Sequence, residues 1–136
     1  MARLYIHIPF KPLAQKRHRH THTGRTYDPC SQQKHEFLKL CMQQSVPPHD
    51  APACPIQCTL CFQFARPKSH CTSKGTLKKT APVLHVYKPD ADNLAKFVLD
   101  ALNGHYYVDD SQIYELCVQK KYGDDNSVKI ELLYDK

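Results

Sequence analysis

Residues 2–9 set Leu4, Ile6 and Ile8 against Arg3, Tyr5 and His7, a period of two that predicts a strand ended by Pro9 and Pro12. The alternation returns at Ile56, Cys58, Leu60, Phe62 and Phe64, with Gln57, Thr59, Cys61 and Gln63 between them, which predicts a half-buried strand over 56–65. Val83–Tyr87 carries apolar groups on both parities, so a short strand central to the sheet is expected there. Further strands at about 112–121 and 128–134 flank the turn residues Tyr122, Gly123, Asp124, Asp125 and Asn126.

Two segments carry the helical period instead. Asp28-Pro29 opens the first, with Pro29 near its first position and Phe37, Leu38, Leu40 and Cys41 forming an apolar face to about residue 44. In the second, over 92–103, Leu94, Ala95, Phe97, Val98, Leu99, Ala101 and Leu102 share one broad arc, and Asp92, Asn93, Lys96, Asp100 and Asn103 fill the opposite one. Asp90 or Asp92 can cap its start, and Gly104 stands at its stop. Val46–Pro55, with four prolines, reads as a stiff connector. The order β-α-β-β-α-β-β predicts one α+β domain over 1–136 with a mixed β-sheet and two main helices. Basic loops at about 11–27 and 66–80 interrupt it, and a candidate catalytic core spans about 88–120.

Composition sharpens this. The 136 residues suit a single domain, and no apolar run reaches the roughly 20 residues of a membrane span. MARLYIHIPF has no small-residue cleavage site, so no signal peptide is expected and the cytoplasm is the expected compartment. Charge is unevenly divided. Residues 1–80 hold 13 basic and 3 acidic side chains, and residues 81–136 hold 6 and 10. The first portion suits a polyanion, whereas the second collects carboxylates, five of them between Asp90 and Asp110. Metal-dependent nucleases need both.

Seven cysteines, an odd number scattered along the chain, predict reduced thiols. Cys54, Cys58, Cys61, His70 and Cys71 raise a zinc reading, and with it a small zinc-binding interaction domain. The strand alternation argues against it, because Cys58 and Cys61 fall on opposite faces.

The chemistry is expected from Lys88-Pro-Asp-Ala-Asp-Asn-Leu-Ala-Lys96, then Asp100 and Asp109-Asp110. Read as extended backbone, Lys88–Asp92 aims Asp90 and Asp92 the same way. Lys96 follows Asp92 by one helical turn. The helix returns the chain so that Asp110 can join them. Three carboxylates from two segments suit a hard cation such as Mg²⁺, which takes oxygen ligands and retains water as a nucleophile toward phosphorus. Lys96 would neutralise charge on the phosphoryl oxygens. Asp-x-Asp alone is a weak motif: a helix cap, an i,i+4 pair and a turn account for the same residues.

The run KPDADNLAKFVLDALNGHYYVDDSQIYEL, with RPKSH at 66–70 and GRTYDP at 24–29, resembles the RusA family of Holliday-junction resolvases found in phages and prophages, over about Ile6 to Gly123. The resemblance implies a RusA-like fold and a Mg²⁺-dependent homodimer, with Mn²⁺ able to substitute. It also implies a crossover junction endodeoxyribonuclease of DNA recombination and repair. Such an enzyme cuts four-way junction DNA by paired symmetric incisions that leave 5′-phosphate and 3′-hydroxyl ends. It would work on DNA in the cytoplasm, the host's if phage-encoded. Asp90 and Asp92 match the family's two aspartates before the helix, Asp110 the later essential aspartate, and Lys96 the helix lysine linked to catalysis. Asp109 and Asn93 match recurring positions, Asp109 as an additional candidate metal ligand. The histidine-rich RHRHTH at 17–22 and Cys71 depart from the pattern.

Lys11, Lys16, Arg17, Arg19 and Arg25 are expected to hold one DNA arm, and Arg66, Lys68, Lys74, Lys78 and Lys79 another. The dimer is expected to form through Phe37, Leu40 and Cys41 or through a sheet edge. A catalytically idle DNA-binding module is the competing reading. It gains nothing from carboxylates beside phosphates.

Overall fold

The structure, a computed structural model, describes residues 2–48 and 51–136. His49 and Asp50 of the proline-rich connector lie outside the described residues. The elements follow in the order β1 (Ala2–Ile8), β2 (Arg19–His20), β3 (Thr26–Tyr27), α1 (Ser31–Gln44), β4 (Ile56–Ala65), α2 (Ala91–Leu102), β5 (Ile113–Gly123) and β6 (Ser127–Tyr134). The main sheet has the order β1-β6-β4-β5. β6 pairs antiparallel with both β1 and β4, whereas β4 and β5 run parallel. Parallel neighbours need a long crossover, and here residues 66–112 supply it.

Both helices cover one face of this mixed sheet. Ile56, Cys58, Leu60, Phe62 and Phe64 of β4 are buried with Val128, Ile130, Leu132 and Tyr134 of β6, as period-two alternation requires. Leu94, Ala95, Phe97, Val98, Ala101 and Leu102 of α2 pack onto them, joined by Phe37, Leu38 and Cys41 of α1. Phe10, Phe37 and Phe97 meet at centroid separations of 5.0–6.1 Å and weld β1 to both helices. Asn103 ends α2, and Gly104 follows at φ +80°, the left-handed conformation that glycine tolerates best.

Three expectations need correction. Val83–Tyr87 is no central strand. Leu84 makes one bridge to Lys121 at the outer edge of β5, His85 alone of the five is buried, and Val83, Leu84, Val86 and Tyr87 are exposed. The segment's backbone bonds to β5 are two, His85 N–H to the Lys120 carbonyl and Tyr122 N–H to the Val83 carbonyl, before the chain turns away toward the cis peptide at Pro89. Next, α1 starts at Ser31, with Cys30 as its cap residue, so Pro29 lies outside the helix. Finally, Phe37 and Cys41 are fully buried in the core, so of the three first-helix residues expected at a dimer surface Leu40 alone is partly exposed.

Candidate active site

The chain enters α2 differently from the extended reading. Lys88–Pro89 is a cis peptide, Asp90 is the cap residue with extended φ and ψ, and the helix begins at Ala91. Asp92 therefore sits in the first helical turn, and its Oδ1 accepts from the Asn93 N–H. An acidic side chain there also complements the positive end of the helix dipole. Asp90 is exposed, with Oδ2 3.9 Å from Lys88 Nζ. The backbone before it is held from the sheet, because Lys120 Nζ donates to the Tyr87 carbonyl at 2.6 Å and the Pro89 carbonyl at 2.7 Å.

Asp92, Lys96 and Asp100 follow one another at i, i+4 and i+8, so they form one stripe along α2. That stripe and Asp110 line a common cavity of about 500 Å³. Its floor is apolar: Leu116 and Val118 stand in register with Cys58 and Leu60 on the helix-covered face, yet Leu116 remains 44% exposed because α2 does not reach across β5. Asp110 arrives through a 3-10 turn, Asp110–Gln112. Asp109 caps this turn, with Oδ2 accepting from the Ser111 N–H at 3.4 Å. Gln112 Oε1 in return accepts from the N–H groups of Val108 and Asp109, while its amide donates to Pro52 and Cys54. Asp109 thus has a structural partner of its own and does not line the cavity.

Electrostatics separate the two adjacent carboxyls. Burial and then the neighbouring charges of Asp109 and Asp100 push Asp110 above the ordinary carboxylate range, against the pull of Lys96. The Ser111 hydrogen bond holds Asp109 below it. A crowd of carboxylates on one cavity is costly without a cation. Among the described residues, no three His, Cys, Asp or Glu side chains are grouped closely enough to hold a metal by themselves. Mg²⁺ does not ask for that: it binds one or two carboxylates and completes its octahedron with water and substrate phosphates. The carboxylate oxygens of Asp92 and Asp110 fit such an ion, whereas Asp90, exposed at the cap position, does not line the cavity. The cysteines offer no rival, since Cys58 is buried in the core and Cys61 alternates to the other face of β4.

One element of this region escaped the sequence reading. Lys34 of α1 reaches Asp28 Oδ2 at 2.6 Å and Asp100 Oδ2 at 3.4 Å. Asp28 Oδ1 also accepts from Gln15 Nε2 and the Cys30 N–H, at 2.8 and 2.9 Å. Burial raises the Asp28 carboxyl, but Lys34, Cys30 and Gln15 together outweigh it and hold the group at about 2. Asp28 and Asp100 are 72 positions apart, and only the helix packing pairs them with one lysine.

The basic loops flank the sheet. Lys11, Lys16, Arg17, Arg19 and Arg25 are exposed, the last two at the small β2–β3 hairpin and the turn that closes it. Lys68, Lys74, Lys78 and Lys79 are exposed on the second loop, a hairpin closed by Cys71 and Leu77 and turned at Gly75. Arg66 is different. It donates to the Pro82 carbonyl at 2.7 Å and lies 5.6 Å from the Tyr122 ring centre, so it ties the loop base down. No helix among the described residues is long and apolar enough to cross a membrane.

The chain is thus a basic α+β domain with carboxylates gathered beside a helix. The family model described as Endodeoxyribonuclease RusA matches residues 9–133, and the chain belongs to that family. It is also 39% identical over 66 residues to the uncharacterized protein YqaN of Bacillus subtilis (strain 168). That match covers 48% of this chain and 42% of the relative, under half the relative's length.

Proposed function

We propose that this protein is a Mg²⁺-dependent, structure-selective endodeoxyribonuclease that resolves four-way DNA junctions by paired incisions. Asp92, Lys96 and Asp110, drawn from two separate segments onto one cavity, carry this reading. Asp92 and Asp110 hold the cation from the cavity, Asp90 at the cap of α2 assists from outside it, and Mn²⁺ is an acceptable replacement. When bound, the cation supplies a Lewis acid for the scissile phosphate. Lys96 sets its ammonium against the charge that develops on the phosphoryl oxygens. Water adds to phosphorus, the P–O3′ bond breaks, and O3′ leaves with a proton, giving a 5′-phosphate and a 3′-hydroxyl.

The exposed lysines and arginines of the two loops bind backbone phosphate and leave the sequence unread. Two subunits related by a two-fold axis match the near two-fold symmetry of a junction and put one cutting centre on each of two opposed strands. Recombination and repair of DNA in the cytoplasm is the corresponding setting. The test is cleavage of a synthetic four-way junction with end-labelled strands. Nicks in two opposed strands that require Mg²⁺ and vanish in EDTA support the proposal. An intact junction under those conditions, or cutting that EDTA leaves untouched, overturns it.

A further inference from the structure

Asp100 has no role in the chemistry assigned above, yet it joins two parts of the molecule. It shares the carboxylate cavity with Asp92, Lys96 and Asp110. It also lines a polar cleft of about 310 Å³ between α1 and α2, together with Asp28 and Lys34. Lys34 is only 13% exposed, so its two ion pairs are weakly screened by solvent. A lysine on a four-carbon stem is ordinarily free to wander. Here the 2.6 Å bond to Asp28 fixes Nζ, and Asp28 is itself fixed by Gln15 and Cys30. The 3.4 Å contact from that fixed ammonium then constrains Asp100 Oδ2.

Resting on the metal-dependent reading above, we infer that Asp100 helps to hold the divalent cation and that Lys34, clamped by Asp28, is the positioning residue that aims it. The buried side of α2 is apolar and offers a lysine of α1 no partner, and the helix carries two carboxylates, Asp92 and Asp100. Lys34 takes a carboxylate that also faces the cavity. The arrangement is the one metal sites use around their ligands: an outer partner fixes the orientation of an inner one, and its loss typically lowers metal affinity about 10- to 100-fold.

The sign of the effect makes the inference testable. By charge alone, removing an ammonium near a carboxylate cluster tightens cation binding. Loss of positioning weakens it. Mn²⁺ binding to the DNA-free protein, followed by the electron paramagnetic resonance of free Mn²⁺, separates the two. Lys34→Met should bind Mn²⁺ about 10-fold more weakly, Asp100→Asn should weaken binding comparably, and Lys34→Arg should restore most of it. Lys39→Met, which removes an exposed charge from the same helix, should leave affinity within about two-fold. Circular dichroism checks that each variant is folded. If Lys34→Met does not fold, Asp100→Asn and Asp28→Asn, both close in shape to the native residues, decide the matter. Unchanged or tighter Mn²⁺ binding in folded Lys34→Met or Asp100→Asn overturns the inference, as does a wild-type chain that binds no Mn²⁺. A wild type that binds Mn²⁺ with these dependences but leaves junctions uncut refutes the nuclease reading and spares this one.

Discussion

Lys120, near the middle of β5, donates to the carbonyl of Pro89, the residue immediately before Asp90, at 2.7 Å. The sheet therefore holds the entry to α2 directly, because the same ammonium also takes the Tyr87 carbonyl at 2.6 Å. Replacing it by Met keeps the stem and deletes both bonds. Lys120→Met should lower the junction-cutting rate by about ten-fold or more at saturating DNA, since a shift of about 1 Å at a reacting group can cost 10²-fold. Junction affinity in EDTA, measured by gel shift, should stay within about two-fold. Wild-type turnover in this variant would show that the segment needs no anchor.

Asp92→Asn and Asp110→Asn should each abolish cutting in Mg²⁺, because an amide is a poor ligand for a hard cation. Both should bind junction DNA as tightly as wild type or tighter, since each removes a negative charge from beside phosphate. Lys96→Ala should cut about 10²–10³-fold more slowly, the usual cost of one transition-state donor. Single-turnover cleavage beside a binding titration reads all three.

Acid should erode the protein's stability in two stages. Burial and the Lys120 ammonium hold the His85 imidazole below its ordinary 6.5. The folded state therefore binds fewer protons there, and this share of stability is complete above pH 6.5 and lost as the pH falls. Asp28, at about 2 against an ordinary 3.8, contributes stability present above pH 3.8 and lost as the pH falls through 2. The second share is at most about 2–3 kcal/mol. Melting temperatures between pH 7 and pH 2 should show both declines. Asp28→Asn should lower the midpoint at neutral pH and flatten only the more acidic decline, and His85→Phe should flatten only the upper one.

The second basic loop should divide by function. Lys74, Lys78 and Lys79 are exposed, so replacing each by Ala should reduce the slope of log affinity against log salt by about 0.9 per lost phosphate contact. Arg66→Ala should instead lower the melting temperature, because it removes the bond to Pro82 and the stack on Tyr122. Salt titrations and thermal melts on the same variants would expose the reverse pattern.

Thiol labelling gives an independent check on the core. Burial pushes the Cys41 and Cys58 thiols up to about 12, whereas Cys117 is exposed on β5. Iodoacetamide at pH 8 should modify Cys117 within minutes and reach Cys41 and Cys58 only after unfolding, since the thiolate is the reactive form. Peptide mapping reads the order.

The parts of this molecule that were legible in its sequence are those set by local period. The arc of α2 and the alternation of β4 each bury the residues the pattern names, because each element has one apolar face and a core to place it on. Val83–Tyr87 misled for a related reason. Apolar residues on both parities suit a central strand, but between Pro82 and Pro89 the segment gains one bridge and leaves four of its five side chains in water. The extended reading of Lys88–Asp92 fails at Asp92, which stands in the first turn of α2, since an extended dipeptide and a first helical turn both follow a proline. The Asp28–Lys34–Asp100 linkage was beyond any local pattern, because only the packing of α1 on α2 brings it together.

β6 follows β4 and β5 along the chain yet lies between β1 and β4, so it ties the first strand to the parallel pair. Every acidic side chain assigned to the cation precedes it in the sequence. A fault in β6 would therefore slacken the support beneath α2 while leaving each of those carboxylates in place.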